Sequence, residues 1–220
     1  SCYMIPCLKS ILILIKPRKL LAIYMNRYAL LFVGPQGSGK GTQAKYFSNY
    51  FHAPLIGTGV IFRNHARRTT FFFRLLSKYI RAGRLVPNYI IYILISKKIH
   101  AYSTESILIF DGVPRTLTQK KSLDTLFIKN NITHCKIVVL DIPKKISIQR
   151  LSVRKREDDD NDVAIKKRLN GYIKKTVPMI QVYKREGRAL IIDGTPSVSL
   201  VTNSIKKILK SDHEFGRLIV

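Results

Sequence analysis

The segment Gly34-Pro35-Gln36-Gly37-Ser38-Gly39-Lys40-Gly41-Thr42 constrains the fold more tightly than any other part of the chain. It follows a continuous apolar run, Tyr28 to Val33, and precedes a helix-like stretch that reaches Phe51. A strand that is apolar at every position is covered on both faces, as in a parallel sheet. The glycines let the backbone turn its N–H groups inward, a helix N-terminus adds positive potential, and Lys40 supplies a mobile cation. Together these make a phosphate cradle. The general pattern places Ser or Thr directly after the lysine, whereas here Gly41 intervenes before Thr42.

Further short apolar runs at Ser106 to Phe110, Lys136 to Leu140 and Ala189 to Ile192 each lead into an aspartate, Asp111, Asp141 and Asp193. Helical patterns separate them, so the chain reads as an α/β protein: a parallel sheet with helices on both faces. The acid run Glu157-Asp158-Asp159-Asp160-Asn161-Asp162 follows Arg154-Lys155-Arg156 and predicts a loop entering a helix at Asp162. Residues 1–27 read as an N-terminal extension, because Pro6, Pro17 and the basic cluster Lys16-Pro17-Arg18-Lys19 interrupt every period. Met25 is a plausible start, and the segment lacks the Ser and Arg richness of a transit peptide.

With 39 Lys and Arg against 13 Asp and Glu, the 220-residue chain carries a formal charge of +26, and its first carboxylate is Glu105. Such a balance attracts polyanions without choosing among them. Cys2, Cys7 and Cys135 form no disulfide framework and no zinc spacing with the histidines, which predicts a reduced compartment and no structural metal. No apolar stretch approaches the roughly 20 residues of a membrane span, so a soluble protein is expected.

The phosphate loop, together with several later motifs, resembles the adenylate kinase family of nucleoside monophosphate kinases over about residues 28–210. Thr58-Gly59 followed by Arg63 is similar to that family's T-G-x-x-x-R, and Gly83-Arg84-Leu85-Val86-Pro87 to its G-x-L-V-P. Asp111-Gly112-Val113-Pro114-Arg115-Thr116 with Gln119 is similar to its most specific signature, D-G-F-P-R-T-x-x-Q. Arg150, Arg154, Arg168, Thr176-Val177-Pro178-Met179-Ile180 and Asp193-Gly194-Thr195 follow in the family's order.

The resemblance implies a P-loop three-layer α/β/α fold with a five-stranded parallel sheet, a mobile monophosphate-binding arm at 57–86, a short lid at 154–161 and a C-terminal tail at 211–220. It implies phosphoryl transfer from MgATP to AMP, giving two ADP, by a cytoplasmic monomer without zinc, a membrane partner or a specific nucleic-acid partner. Gly37, Ser38, Gly39, Lys40, Gly41 and Thr42 would cradle ATP phosphates, with Arg150, Gly194 and Thr195 at its adenine. Thr58, Arg63, Val86, Gly112, Arg115 and Gln119 would bind AMP. Lys40, Arg115, Arg154 and Arg168 would act on the transferring group, and Asp111 would hold Mg²⁺ through water.

The lid departs from the family, with only Lys155 to Asp158 between Arg154 and Asp159. Asp159 and Asp160 would fix the closed lid, and either Arg154 or Arg156 would touch phosphate, depending on the register. Pyrimidine monophosphate kinases carry asparagines in place of Thr116 and Gln119, which points to AMP. A UMP/CMP kinase remains the alternative, and a non-catalytic nucleotide- or RNA-binding protein on the same scaffold is the second.

Overall fold

The computed structural model describes residues 26–57, 59, 87–153 and 162–219. Five parallel strands form one sheet in the order β2-β3-β1-β4-β5: β1 Arg27–Val33, β2 Leu55–Gly57, β3 Ile107–Asp111, β4 Ile132–Asp141 and β5 Ala189–Asp193. The described helices are α1 Lys40–Tyr50, α2 Asn88–Ala101, α3 Leu117–Lys129, α4 Lys144–Val153, α5 Asp162–Gly171, α6 Val177–Arg185 and α7 Val198–Ser211. A wide π-turn, Tyr172–Thr176, joins α5 to α6.

Period-two alternation splits the apolar runs between two cores. Ala29, Leu31, Val33, Leu108, Phe110, Ile137 and Val139 face α2, α3 and α6. Leu30, Phe32, Ile109, Val138 and Leu140 face α1, α7 and the C-terminal segment. The three-layer α/β/α expectation therefore holds. The strand that no apolar run announced is β2, three residues whose register puts Gly57 opposite Asp111. β4 begins earlier than the apolar pattern suggests, because Ile132 and His134 pair with β1 on either side of a bulge at Thr133.

Two boundaries differ from the sequence expectation. Arg27, assigned to the extension, lies in β1 at 3% exposure. Its guanidinium donates to the backbone oxygens of Glu105 (2.9 Å), Asn130 (2.6 Å) and Tyr102 (2.8 Å), closing the N-terminal edge of the sheet. Arg27→Met removes all three bonds, leaving Tyr102 O only its bond from the Glu105 N–H (3.2 Å), and is expected to cost about 2–3 kcal/mol, read by urea unfolding. The segment expected as a tail is also packed. Phe215 is fully buried, Ile219 nearly so, and Gly216–Leu218 forms a 3₁₀ turn. An aromatic contact from Phe215 to Tyr28 (5.3 Å) and an ion pair from Asp212 to Lys136 (2.9 Å) hold this segment on β1 and β4.

Candidate active site

The strand order reverses around β1, and in such sheets ligands bind at the carboxyl ends of the strands beside the reversal. The segment 34–39 leaves β1 at that point and enters α1. Gly39, with φ +87°, occupies the N-cap, no side chain caps the helix, and no acidic residue stands in its first turn. The first intrahelical bond runs from Gln43 N to Gly39 O (3.0 Å), which leaves the earlier N–H groups of α1 without helical acceptors. Lys40 Nζ donates to Pro35 O (3.1 Å) across the loop. The Ser38 hydroxyl is buried without a hydrogen-bond partner. An uncapped helix start, a cation and an unfilled hydroxyl are a donor set that fits phosphate oxygens.

Gly41 also has a local reason. A Cβ there would stand 3.2 Å from Asp111 Oδ2, and one at Gly57 would stand 3.2 Å from Asp111 Cβ. The Asp111 carboxylate thus sits against the first turn of α1, in the space that a Ser or Thr after Lys40 would enter. Among the described residues no cluster of three or more His, Cys, Asp or Glu side chains can hold a metal by itself. Mg²⁺ bound through phosphates and water needs only one carboxylate, and Asp111 fits that role.

Arg115 follows β3 in the turn 112–116. Its Nε donates to Gly112 O (2.7 Å), and its backbone N–H donates to Gln119 Oε1 (2.8 Å). Desolvation pulls its guanidinium pKa below the ordinary value; the Asp111 carboxylate opposes that shift and the Arg168 charge adds to it. Arg115, Asp111 and Arg168 thus share one electrostatic neighbourhood. Gln119 is buried, and its carboxamide is occupied inside the protein, with Nε2 donating to Asn88 Oδ1 (3.0 Å). Thr116 caps α3 by accepting from Gln119 N (3.1 Å).

On the other side of the loop, Arg150 donates to Gly37 O (3.3 Å), Gly194 O (2.8 Å) and Thr195 O (2.7 Å). It spans the phosphate loop and the turn after β5, in the wall of a cavity of about 310 Å³ that Ser38, Gly39, Pro196 and Val198 also line. Asp193 accepts from the Thr195 N–H (2.8 Å) and hydroxyl (2.9 Å), and these bonds hold its pKa below the usual carboxylate range.

The structure therefore brings together Lys40, Asp111, Arg115 and Arg168 on one side and Arg150, Gly194 and Thr195 on the other. Thr58, Arg63, Val86, Arg154, Arg156, Asp159 and Asp160 lie outside the described residues. Three supporting residues escaped the sequence reading. Gln43, 2% exposed, accepts from Thr202 Oγ1 (2.9 Å) and donates to Val198 O (3.0 Å), tying α1 to α7 behind the cavity. Ser147, fully buried in α4, donates to Gln36 O in the loop. Asn88 holds Gln119. None of the three carried a local signal, because each acts through a bond to a distant part of the chain.

A phosphate loop at the carboxyl end of the central strand, on a sheet of this order, defines a P-loop α/β protein that binds nucleotide phosphates. The family model described as adenylate kinase matches residues 32–188. The chain is 36% identical over 183 residues to an adenylate kinase of Cyanothece sp., covering 82% of this chain and 94% of that one. It is 35% identical over 181 residues to an adenylate kinase of Leptospira biflexa (81% and 97%) and 33% identical over 189 residues to one of Sinorhizobium medicae (82% and 98%). The chain belongs to the adenylate kinase family, and is a nucleoside monophosphate kinase, a phosphotransferase. The pyrimidine-kinase and non-catalytic alternatives are not favoured by these matches.

Proposed function

We propose that Lys40, Arg115 and Arg168, with Asp111 beneath them, carry reversible phosphoryl transfer between ATP and AMP. The observation that supports this most is the seating of the Asp111 carboxylate against Gly41 at the start of α1, with Arg115 within the field of that carboxylate and of the Arg168 charge. Phosphoryl transfer asks a protein for in-line positioning, exclusion of water and stabilisation of charge on the moving group. Lys40 and the N–H groups of the loop would hold the donor's phosphates. Arg115, with Arg63, would clamp the acceptor's phosphate bidentately, since a guanidinium fork matches phosphate oxygens and stays charged when desolvated. Arg168, with Arg154 or Arg156, would bridge the transferring group.

When bound, Mg²⁺ would supply positive charge to offset the charge developing during transfer. Asp111 would orient it through water. Arg150 would cover the donor's adenine from the cavity wall, with Gly194 and Thr195 at its edge. For AMP, Gln119 would offer the base the second N–H and the second oxygen lone pair of its carboxamide, the first of each being engaged with Asn88 and the Arg115 N–H. The short lid, Asp159 and Asp160 would close over the site together with the arm that carries Thr58 and Val86.

The test is ADP formation from MgATP with AMP, UMP, CMP and GMP in turn, using nuclease-treated protein at moderate salt. Turnover with AMP far above the others is expected. A preference for UMP or CMP would overturn the acceptor assignment, and nucleotide binding without turnover would overturn the catalytic one. Size-exclusion chromatography of the same preparation tests the expected monomer.

A further inference from the structure

The helix that carries Arg168 does not run straight into α6. Between them lies the π-turn Tyr172–Thr176, closed by a bond from the Val177 N–H to Tyr172 O. A π-turn inserts one residue into the helical register, so every side chain beyond it is rotated by about 100° from its α-helical direction. The last side chain of the turn is Thr176, which is 4% exposed. A threonine in a helix ordinarily returns its hydroxyl to the carbonyl four residues earlier. Thr176 Oγ1 instead donates to Arg115 O (3.0 Å), 61 residues away in sequence.

Arg115 is thereby held at three points: its N–H by Gln119, its Nε by Gly112 O and its carbonyl by Thr176. The first two restraints come from the arginine's own turn and α3. Only the third comes from the helical segment bearing Arg168. We propose that Thr176 is a positioning residue for the acceptor clamp, registering the Arg115 backbone against the helix that presents Arg168 so that the guanidinium on the acceptor's phosphate and the one on the transferring group keep a fixed relation. The π-turn is the device that aims its hydroxyl. This rests on the assignment of Arg115 to the acceptor phosphate made above.

The test compares Thr176→Val, which keeps the shape and removes the hydroxyl, with Thr176→Ser, which keeps the hydroxyl, and with Arg115→Ala as reference. AMP affinity is read by calorimetric titration, KM for AMP and for ATP by steady-state kinetics, and folding by thermal unfolding. Thr176→Val is expected to weaken AMP binding and raise its KM roughly tenfold, with the KM for ATP within about twofold. Thr176→Ser is expected to return both AMP values to within about twofold of the unaltered chain.

A Thr176→Val protein that melts earlier but keeps its AMP values, one that loses AMP and ATP affinity equally, or a serine variant that fails to rescue would each overturn the proposal. Arg115→Ala separates the two failures. If it weakens AMP binding while Thr176→Val does not, the positioning role is wrong; if neither does, the assignment of Arg115 itself is wrong.

Discussion

Arg115→Ala is expected to lower kcat/KM for AMP by roughly a thousand-fold or more, without loss of the fold. The side chain sits within the field of Asp111 and of Arg168. Its guanidinium is partly desolvated, and the shift this causes starts from an ordinary value so high that the group stays charged near neutral pH. A fixed cation of this kind is worth most where charge develops on a moving phosphoryl group in a site that excludes water, because the protein reorganises nothing at the moment of transfer. Arg115→Lys is expected to recover only part of the loss. It restores a charge but not the planar fork, and it cannot reproduce both the Nε bond to Gly112 O and a bidentate grip on phosphate. Coupled measurement of ADP formation, with circular dichroism and thermal unfolding as controls, decides the matter. A well-folded Arg115→Ala protein within tenfold of the original rate would remove Arg115 from the reaction.

How much of this was legible in the sequence depends on the range of the interactions. The phosphate loop and β1 were readable because their requirements are local: apolar side chains on consecutive positions, then glycines, then a lysine at a helix start. The reason for Gly41 was not readable, because it lies in the Asp111 carboxylate on another strand. Gln43 and Ser147 act through bonds to Thr202 and Gln36, far along the chain, and their local surroundings look like ordinary helix. β2 has three residues and no period, and exists because Ile109–Asp111 offers it a parallel edge. Gln119 was read as an adenine contact from its motif. The structure adds bonds to Asn88 and to the Arg115 N–H, partners far along the chain or in the backbone that the motif alone does not announce.

Removing residues 212–220 is expected to bring the chain close to unfolding, because the segment read as a tail completes one of the two cores. Phe215 is fully buried against Tyr28, and Phe→Ala at such a site costs about 3–5 kcal/mol. Lys136, on β4 with 7% of its side chain exposed, is neutralised by Asp212 at 2.9 Å and by Glu214 at 3.7 Å, and deleting both strands a buried cation. Against a total stability of about 5–15 kcal/mol for an ordinary domain, these losses leave little. The ion pair carries a pH signature. Burial alone would raise the Asp212 pKa, but the bond from Lys136 and those from the N–H groups of Phe215 and Glu214 outweigh it and hold the carboxyl below its ordinary value. A depressed carboxyl stabilises the fold above its unfolded pKa, near 3.9, and loses that contribution as pH falls through the lower folded value. Asp212→Asn should therefore lower the unfolding free energy by about 3 kcal/mol at pH 7, and the gap to the unaltered chain should close progressively below about pH 4. Urea unfolding of both proteins between pH 3 and pH 7 measures it. The absence of a gap at pH 7 would show that the aspartate acts through its backbone hydrogen bonds, which an asparagine oxygen can still accept, rather than through its charge, and a truncated chain as stable as the full one would restore 211–220 to the status of a tail.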